Sequence, residues 1–155
     1  MPEAKTGAEL TAQDLMTPNP VTVSPEDRLS HAADLMEKHR VQHLPVIRDG
    51  HLVAILSERN LRDATPSVLT LSDPEARRRA LGATRVEKIA TPNPVTVLPT
   101  TSVLETIRQM RRGRLGSLPV VHKGELLGIV TAGDLINLLE RLLSERPGTS
   151  VEAGP

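Results

Sequence analysis

The sequence predicts an α/β (α+β) fold assembled from two pseudo-symmetric copies of one β-α-β-β-α unit, and three observations carry that reading. The heptapeptide TPNPVTV fills residues 17–23 and returns unchanged at 91–97, 74 residues later. The same offset then holds without a gap: Leu44-Pro45-Val46 recurs as Leu118-Pro119-Val120, Gly50 as Gly124 and Leu61 as Leu135. Across 14–61 and 88–135 the copies agree at 17 of 48 positions, where ordinary residue usage would give about three by chance. Finally, each copy carries β-type apolar runs and helical periodicity in the same order.

Residues 1–9 read as a flexible tail, 10–62 as the first repeat and 63–83 as a linker with a short helix. Residues 84–145 read as the second repeat and 146–155 as a second tail. Thr11 is placed to cap a short helix with Asp14 three residues on and Leu15-Met16 inward; Thr84 opens the matching element, with Val86 and Ile89 inward. TPNPVTV follows each. Its two prolines forbid helix and push their predecessors toward extended geometry, so an extended segment ending in a Val-x-Val strand is expected. Ser24-Pro25-Glu26-Asp27 then looks like a helix start, with an N-cap, a Pro at N1 and two acids in the first turn. Leu29, Ala33 and Met36 form its expected buried stripe, as do Val103, Ile107 and Met110 in the second copy, where Gly113 is the expected C-cap.

Leu44–Ile47 reads as a strand whose Pro45 belongs at an edge or bulge. Asp49-Gly50 and Lys123-Gly124 are hairpin turns leading into strands at 52–56 and 126–130. Ser57 and Thr131 cap the closing helices. In the linker, Asp73-Pro74-Glu75 starts a helix that runs to Leu81 and stops at Gly82. The last helix, Ala132 to Glu145, carries Leu135, Ile136, Leu138, Leu139, Leu142 and Leu143. Leu135, Leu138, Leu139 and Leu142 suffice for the core, which leaves Ile136 and Leu143 for a subunit interface.

Composition narrows the function. The 19 basic and 19 acidic residues cancel, and there is no Phe, Tyr, Trp or Cys. Zero net charge without aromatics argues against nucleic acid as a partner. The absence of Cys excludes a disulfide framework and thiolate metal sites. Nothing resembles a secretory leader or a membrane span, so a cytoplasmic protein is expected. No nucleophile elbow, Walker loop or His-Glu-x-x-His appears, so no enzyme activity is expected. His39 and His43 have metal-like spacing, but a helix end and a strand start separate their faces, and no metal site is assigned. The arginines of 111–114 suit a helix C-terminus without any ligand, and Glu58-Arg59 reads as a solvated turn.

With TPNPVTV, Leu-Pro-Val-Ile/Val before an Asp-Gly or Lys-Gly turn, and Gly128-Ile129-Val130-Thr131-Ala132-Gly133-Asp134 in order, residues 10–143 resemble a tandem pair of cystathionine β-synthase (CBS) domains, a Bateman module. The layout is similar to the CBS half of acetoin-utilisation-type proteins, here as a stand-alone pair. The resemblance implies repeats packed sheet to sheet around a pseudo-two-fold axis, with two clefts for adenosine-containing ligands. It implies that Asp134 takes the ribose hydroxyls, that Thr131 and Gly133 at the helix start hold phosphate, and that Met16, Val21, Val41 and Gln42 of the other repeat hold the base. The second, weaker cleft would comprise Ser57, Asn60, Ala90, Val95, Leu115 and Gly116. A carboxylate offers two acceptor oxygens to a diol, whereas Asn60 offers one, and Ala54 narrows the approach that Gly128 permits.

Thr131-x-x-Asp134 is also the signature of a helix capping box with no ligand. The expected function is a regulatory module sensing an adenine nucleotide, AMP, ADP or ATP ahead of NAD(H) or S-adenosylmethionine, with no cofactor required. The alternative is a dimerisation module without a physiological nucleotide. A homodimer is expected in either case.

Overall fold

The structure, a computed structural model, describes residues 9–65 and 73–145. The expected tails at 1–8 and 146–155, and linker residues 66–72, lie outside the described residues. In chain order the elements are α1 (Ala12–Leu15), β1 (Thr17–Pro18), α2 (Leu29–His39), β2 (His43–Arg48), β3 (His51–Ser57), α3 (Glu58–Ala64) and α4 (Pro74–Ala83). After a 3-10 turn at Val86–Lys88 come β4 (Thr91–Pro92), α5 (Val103–Gly113), β5 (Ser117–His122), β6 (Glu125–Thr131) and α6 (Ala132–Ser144). Mixed helix and strand in two matching halves is the fold class the sequence predicts.

Each repeat contributes one antiparallel hairpin. Asp49 (φ 50°) and Gly50 (φ 78°) close the first, and Lys123 (φ 49°) and Gly124 (φ 80°) close the second. Two successive positive φ angles give the turn twist that matches a hairpin, and glycine takes the second position without steric cost. β2 is the outer strand of its sheet, with a bulge between Val46 and Ile47. The Pro45 carbonyl accepts from Val23 N–H on this outer side at 3.0 Å, so the missing proline donor faces away from the β3 ladder.

The third strand of each sheet comes from the other repeat. The sheet orders are β1-β6-β5 and β2-β3-β4, with Thr17 opposite Ile129 and Thr91 opposite Ile55. Asn19 (φ 47°) and Asn93 (φ 48°) then turn the chain. Both precede a proline and were expected to be extended; asparagine tolerates the left-handed region better than most residues. Beyond the turn the chain returns to its own repeat. The expected Val-x-Val strand shrinks to one parallel bridge in each copy, Val23 to Val46 and Val97 to Val120. TPNPVTV is therefore a stitch between the two sheets, which adjoin through β3 and β6.

The same exchange moves the start of α2. Ser24–Asp27 forms a turn, with Ser24 N–H on Asp27 Oδ2 at 2.8 Å and Asp27 N–H on Ser24 O at 3.1 Å, and the helix begins only at Leu29. The carbonyls of Pro25 and Asp27 accept from Glu87 and Val86 N–H instead of from a helical turn. Tertiary pairing overrides the local start signal. In the second copy, Ala12 N–H reaches Thr101 O at 2.7 Å and Val103 N–H reaches Leu10 O at 2.9 Å.

Two aliphatic clusters form the core. One centres on Leu29, Leu44, Val46 and Leu56 with Val86, and the other on Val97, Leu118, Val120 and Val130 with Ala12. Val86 and Ala12 again come from the opposite repeat. The buried stripes run Leu29, Ala32, Met36 and Val103, Thr106, Met110, so Ala33 is only half-buried and Ile107 is exposed. Thr106 can occupy the buried position because its hydroxyl donates to Ser102 O at 2.9 Å. The C-caps are Arg40 and Arg114, both left-handed, so Gly113 is the last helical residue and not the cap. α4 starts as expected, Asp73 accepting from Glu75 and Ala76 N–H, but it runs through Gly82 to Ala83. Gly82 faces Ser30 of α2, and Arg78 pairs with Asp34 at 3.5 Å, so α4 lies along α2.

Candidate functional site

β6 delivers the chain to Thr131, whose extended backbone and hydroxyl start α6. Asp134 sits three residues on, so its carboxylate turns back over the helix start. Its Oδ2 accepts from Thr131 N–H at 2.8 Å and from Thr131 Oγ1 at 3.1 Å. That is the capping box, and it takes one of the two carboxylate oxygens. The other oxygen, Oδ1, accepts from Thr17 Oγ1 at 3.2 Å, a contact from the opposite repeat.

The N–H groups around this helix start are mostly taken. Ala132 N–H donates to Gly116 O at 3.2 Å and Asp134 N–H to Thr131 Oγ1 at 3.4 Å. Among the described residues, the Gly133 N–H has no partner outside its own helix. The Thr131 hydroxyl, expected to hold phosphate, is engaged with the Asp134 carboxylate.

The expected base walls are regrouped. Met16 stands directly beside Gly128, where an added methyl would lie 2.5 Å from its Sδ. Leu115 packs in the same cluster as Met16 and Leu135, so Met16, Thr17, Leu115 and Gly116 gather near Asp134. Val21, Val41 and Ala90 belong to the first-repeat cluster. Gln42 O accepts from Glu58 N–H at 2.8 Å, which sets it beside Ser57. The physical reason is connectivity. The opening strands cross to the other repeat, whereas Val41-Gln42 and Leu115-Gly116 run directly into β2 and β5 and stay with their own.

At the equivalent position of the first repeat, Asn60 Oδ1 accepts from Ser57 N–H and Ser57 Oγ, both at 2.8 Å. Because an N–H can only donate, the oxygen must face Ser57 and the amide NH2 must face outward. Val95, expected in this cleft, is half exposed. Ala54, expected to narrow this cleft, is buried opposite Pro92 in the same cluster as Ala90.

The two groups of residues meet at His43, whose Nε2 would lie 2.8 Å from a methyl at Gly116. Burial pushes the His43 imidazole below its ordinary range, with the Glu58 carboxylate partly opposing. His39 ends α2 and His43 begins β2. A separate groove of about 1210 Å³ lies between α2, α3 and α4, lined among the described residues by Val41, Gln42, Arg40, Leu61 and Arg78. It does not include Asp134.

A family model described as the CBS domain matches residues 12–67 and again 86–141. The chain belongs to the CBS domain family. As a tandem CBS pair it is 33% identical over 144 residues to a CBS domain-containing protein of Dictyostelium discoideum, covering 92% of this chain and 99% of that one. Among solved structures, a Vibrio cholerae protein assigned to acetoin utilization (AcuB) superposes with a TM-score of 0.72 at 28% identity, covering 87% and 93% of the two chains. The CBS-pair protein CBSX2 from Arabidopsis thaliana superposes with a TM-score of 0.75 at 27% identity, covering 88% and 98%, and CBSX2 in complex with AMP with a TM-score of 0.70 at 27% identity, covering 86% and 98%.

Thr17 stands against Asp134 at the candidate site, a placement that sequence reasoning missed. Its repetition as Thr91 marked it as important to the unit, but nothing in a single copy shows that it faces the other repeat. Gly128, noticed for the approach of a ligand, also lies directly beside Met16.

Proposed function

We propose that this CBS pair is a non-catalytic regulatory module that binds an adenine nucleotide at Asp134, with AMP ahead of ADP and ATP. NAD(H) and S-adenosylmethionine are further candidates. The observation that carries this reading is the asymmetry of the two clefts. Asp134 presents an ionisable carboxylate whose Oδ1 faces a group from the other repeat, with the Gly133 N–H alongside, while Asn60 presents a neutral amide. A carboxylate is the better acceptor for sugar hydroxyls. The AMP complex of the similar CBSX2 fold supports the choice of ligand.

Met16, Leu115 and Gly116 would then flank the bound nucleoside, and Ser57, Asn60, Ala90 and Val95 would line the weaker second cleft. Among the described residues no helix is long and apolar enough to cross a membrane. A cytoplasmic location is part of the proposal, as are the repeat boundaries near residues 10–62 and 84–145.

The test begins with absorbance. Without Trp or Tyr the chain has almost no near-ultraviolet band, so a 260 nm peak in purified protein reports a bound base, which mass spectrometry of the released ligand identifies. Calorimetry with AMP should show Asp134→Ala weakening binding by about 1–3 kcal/mol with the fold intact. Unchanged affinity in a folded variant would remove Asp134 from the site.

A second reading, a homodimer, rests on Ile136, Leu139 and Leu143 of α6, each more than half exposed, with Leu104 exposed on α5. At the 74-residue offset the first repeat has Arg62 for Ile136, Thr65 for Leu139 and Ser30 for Leu104, and α4 lies along α2. The open apolar face therefore belongs to the second repeat and suits a second copy of the chain.

A further inference from the structure

We propose that Thr17 is a built-in competitor for the site at Asp134, a hydroxyl of the protein that a ligand hydroxyl must displace; this rests on the nucleotide reading above. The argument starts from the two carboxylate oxygens. Oδ2 is fixed by the N–H and hydroxyl of Thr131 and cannot leave without uncapping α6. Oδ1 is the oxygen left for a ligand, and Thr17 Oγ1 already fills one of its two acceptor sites at 3.2 Å, so a sugar diol that donates both hydroxyls to Oδ1 must displace it.

The Thr17 hydroxyl is of the same chemical class as a sugar hydroxyl, so the two are interchangeable donors for one carboxylate oxygen. It is also dispensable to the frame. Thr17 is exposed, and its strand is held by backbone pairing opposite Ile129 that does not involve the side chain. The equivalent Thr91 provides a control within the molecule. It stands opposite Ile55 in the same way, but Asn60 turns its oxygen to Ser57, and no bond joins Thr91 to Asn60 among the described residues.

A site occupied by its own hydroxyl binds ligand more weakly by the fraction of time it is free. An Asp134 oxygen engaged about 90% of the time lowers apparent affinity about tenfold. Displacement also has a structural consequence: Thr17 belongs to the first repeat's opening strand and Asp134 to the second repeat's last helix. A ligand at Oδ1 therefore releases a side-chain tie between the repeats.

Calorimetry with AMP on four single variants tests this. Thr17→Val removes the hydroxyl and keeps a β-branched shape suited to a strand; Thr17→Ser keeps the hydroxyl. Thr91→Val makes the same change where there is no bond to lose, and Asp134→Ala reports on the underlying site. The expected result is that Thr17→Val binds AMP about 3–10-fold more tightly than the wild type, while Thr17→Ser and Thr91→Val stay within about twofold. Wild-type binding that Asp134→Ala abolishes and Thr17→Val leaves unchanged or weakens would overturn the competitor role alone. No AMP binding by any form would overturn the nucleotide reading and this inference with it. Thr17→Ala, read the same way, covers the case in which Thr17→Val fails to fold.

Discussion

Gly128 lacks a methyl that its counterpart Ala54 keeps, and the difference is balanced on the strand beside each. A methyl at Gly128 would stand 2.5 Å from Met16 Sδ and 2.8 Å from Thr17 O. In the other sheet the Met16 position is Ala90, and Ala54 fits, buried, opposite Pro92. One interface pairs large with none, the other small with small. Gly128→Ala should therefore cost about 1–3 kcal/mol by overpacking, and adding Met16→Ala should recover part of that loss. Urea denaturation of the two singles and the double measures the coupling. Strictly additive effects would mean the two positions do not share one space. At this scale the sequence was legible where the chemistry is local: the Thr131–Asp134 and Ser57–Asn60 caps and both hairpin turns stand where they were expected. It was incomplete at Gly128 and Ala54, because what fills the space beside each comes from the opposite copy.

The helices show how far periodicity reaches. It located α2, α5 and α6, yet it misplaced Ala33, Ile107 and Leu139. Leu138 is buried and Leu135 and Leu142 are half-buried, and these three complete the inward face of α6. Leu139 joins Ile136 and Leu143 outside, where positions three and four apart form one stripe. A homodimer built on that stripe should give a dimer by sedimentation equilibrium in the wild type. Changing Ile136, Leu139 and Leu143 together to Glu should shift it to monomer without loss of far-ultraviolet dichroism. Burying a Leu or Ile is worth roughly 1.5–3 kcal/mol, so three charges in the interface outweigh its gain. A wild type that remains monomeric at high micromolar concentration would count against the dimer. The helix-start signal at Ser24–Asp27 failed for a different reason: its carbonyls are partners of Val86 and Glu87, residues no local window contains.

For the molecule as a whole, the repeat was plain in the sequence and the reciprocal exchange was not. An offset of identical residues says that two units exist, but it cannot say whether each unit completes its own sheet. The exchange predicts that neither half folds alone. Chains cut within 66–72 should be largely unfolded by circular dichroism when separate, since each sheet then lacks its third strand and each cluster lacks Val86 or Ala12. Mixed in equal amounts they should regain the intact spectrum. A half that unfolds cooperatively by itself, with the stability of the intact chain, would refute this. The same stitch sets a timetable for biosynthesis. Thr17 leaves the ribosome 117 residues ahead of Asp134, which at translation rates of about 5–20 residues per second is a wait of roughly 6–23 s. β1 has no partner until β6 follows, whereas the β3 edge is uncovered only until β4 follows it, and both are meanwhile open to pairing with a neighbouring nascent chain.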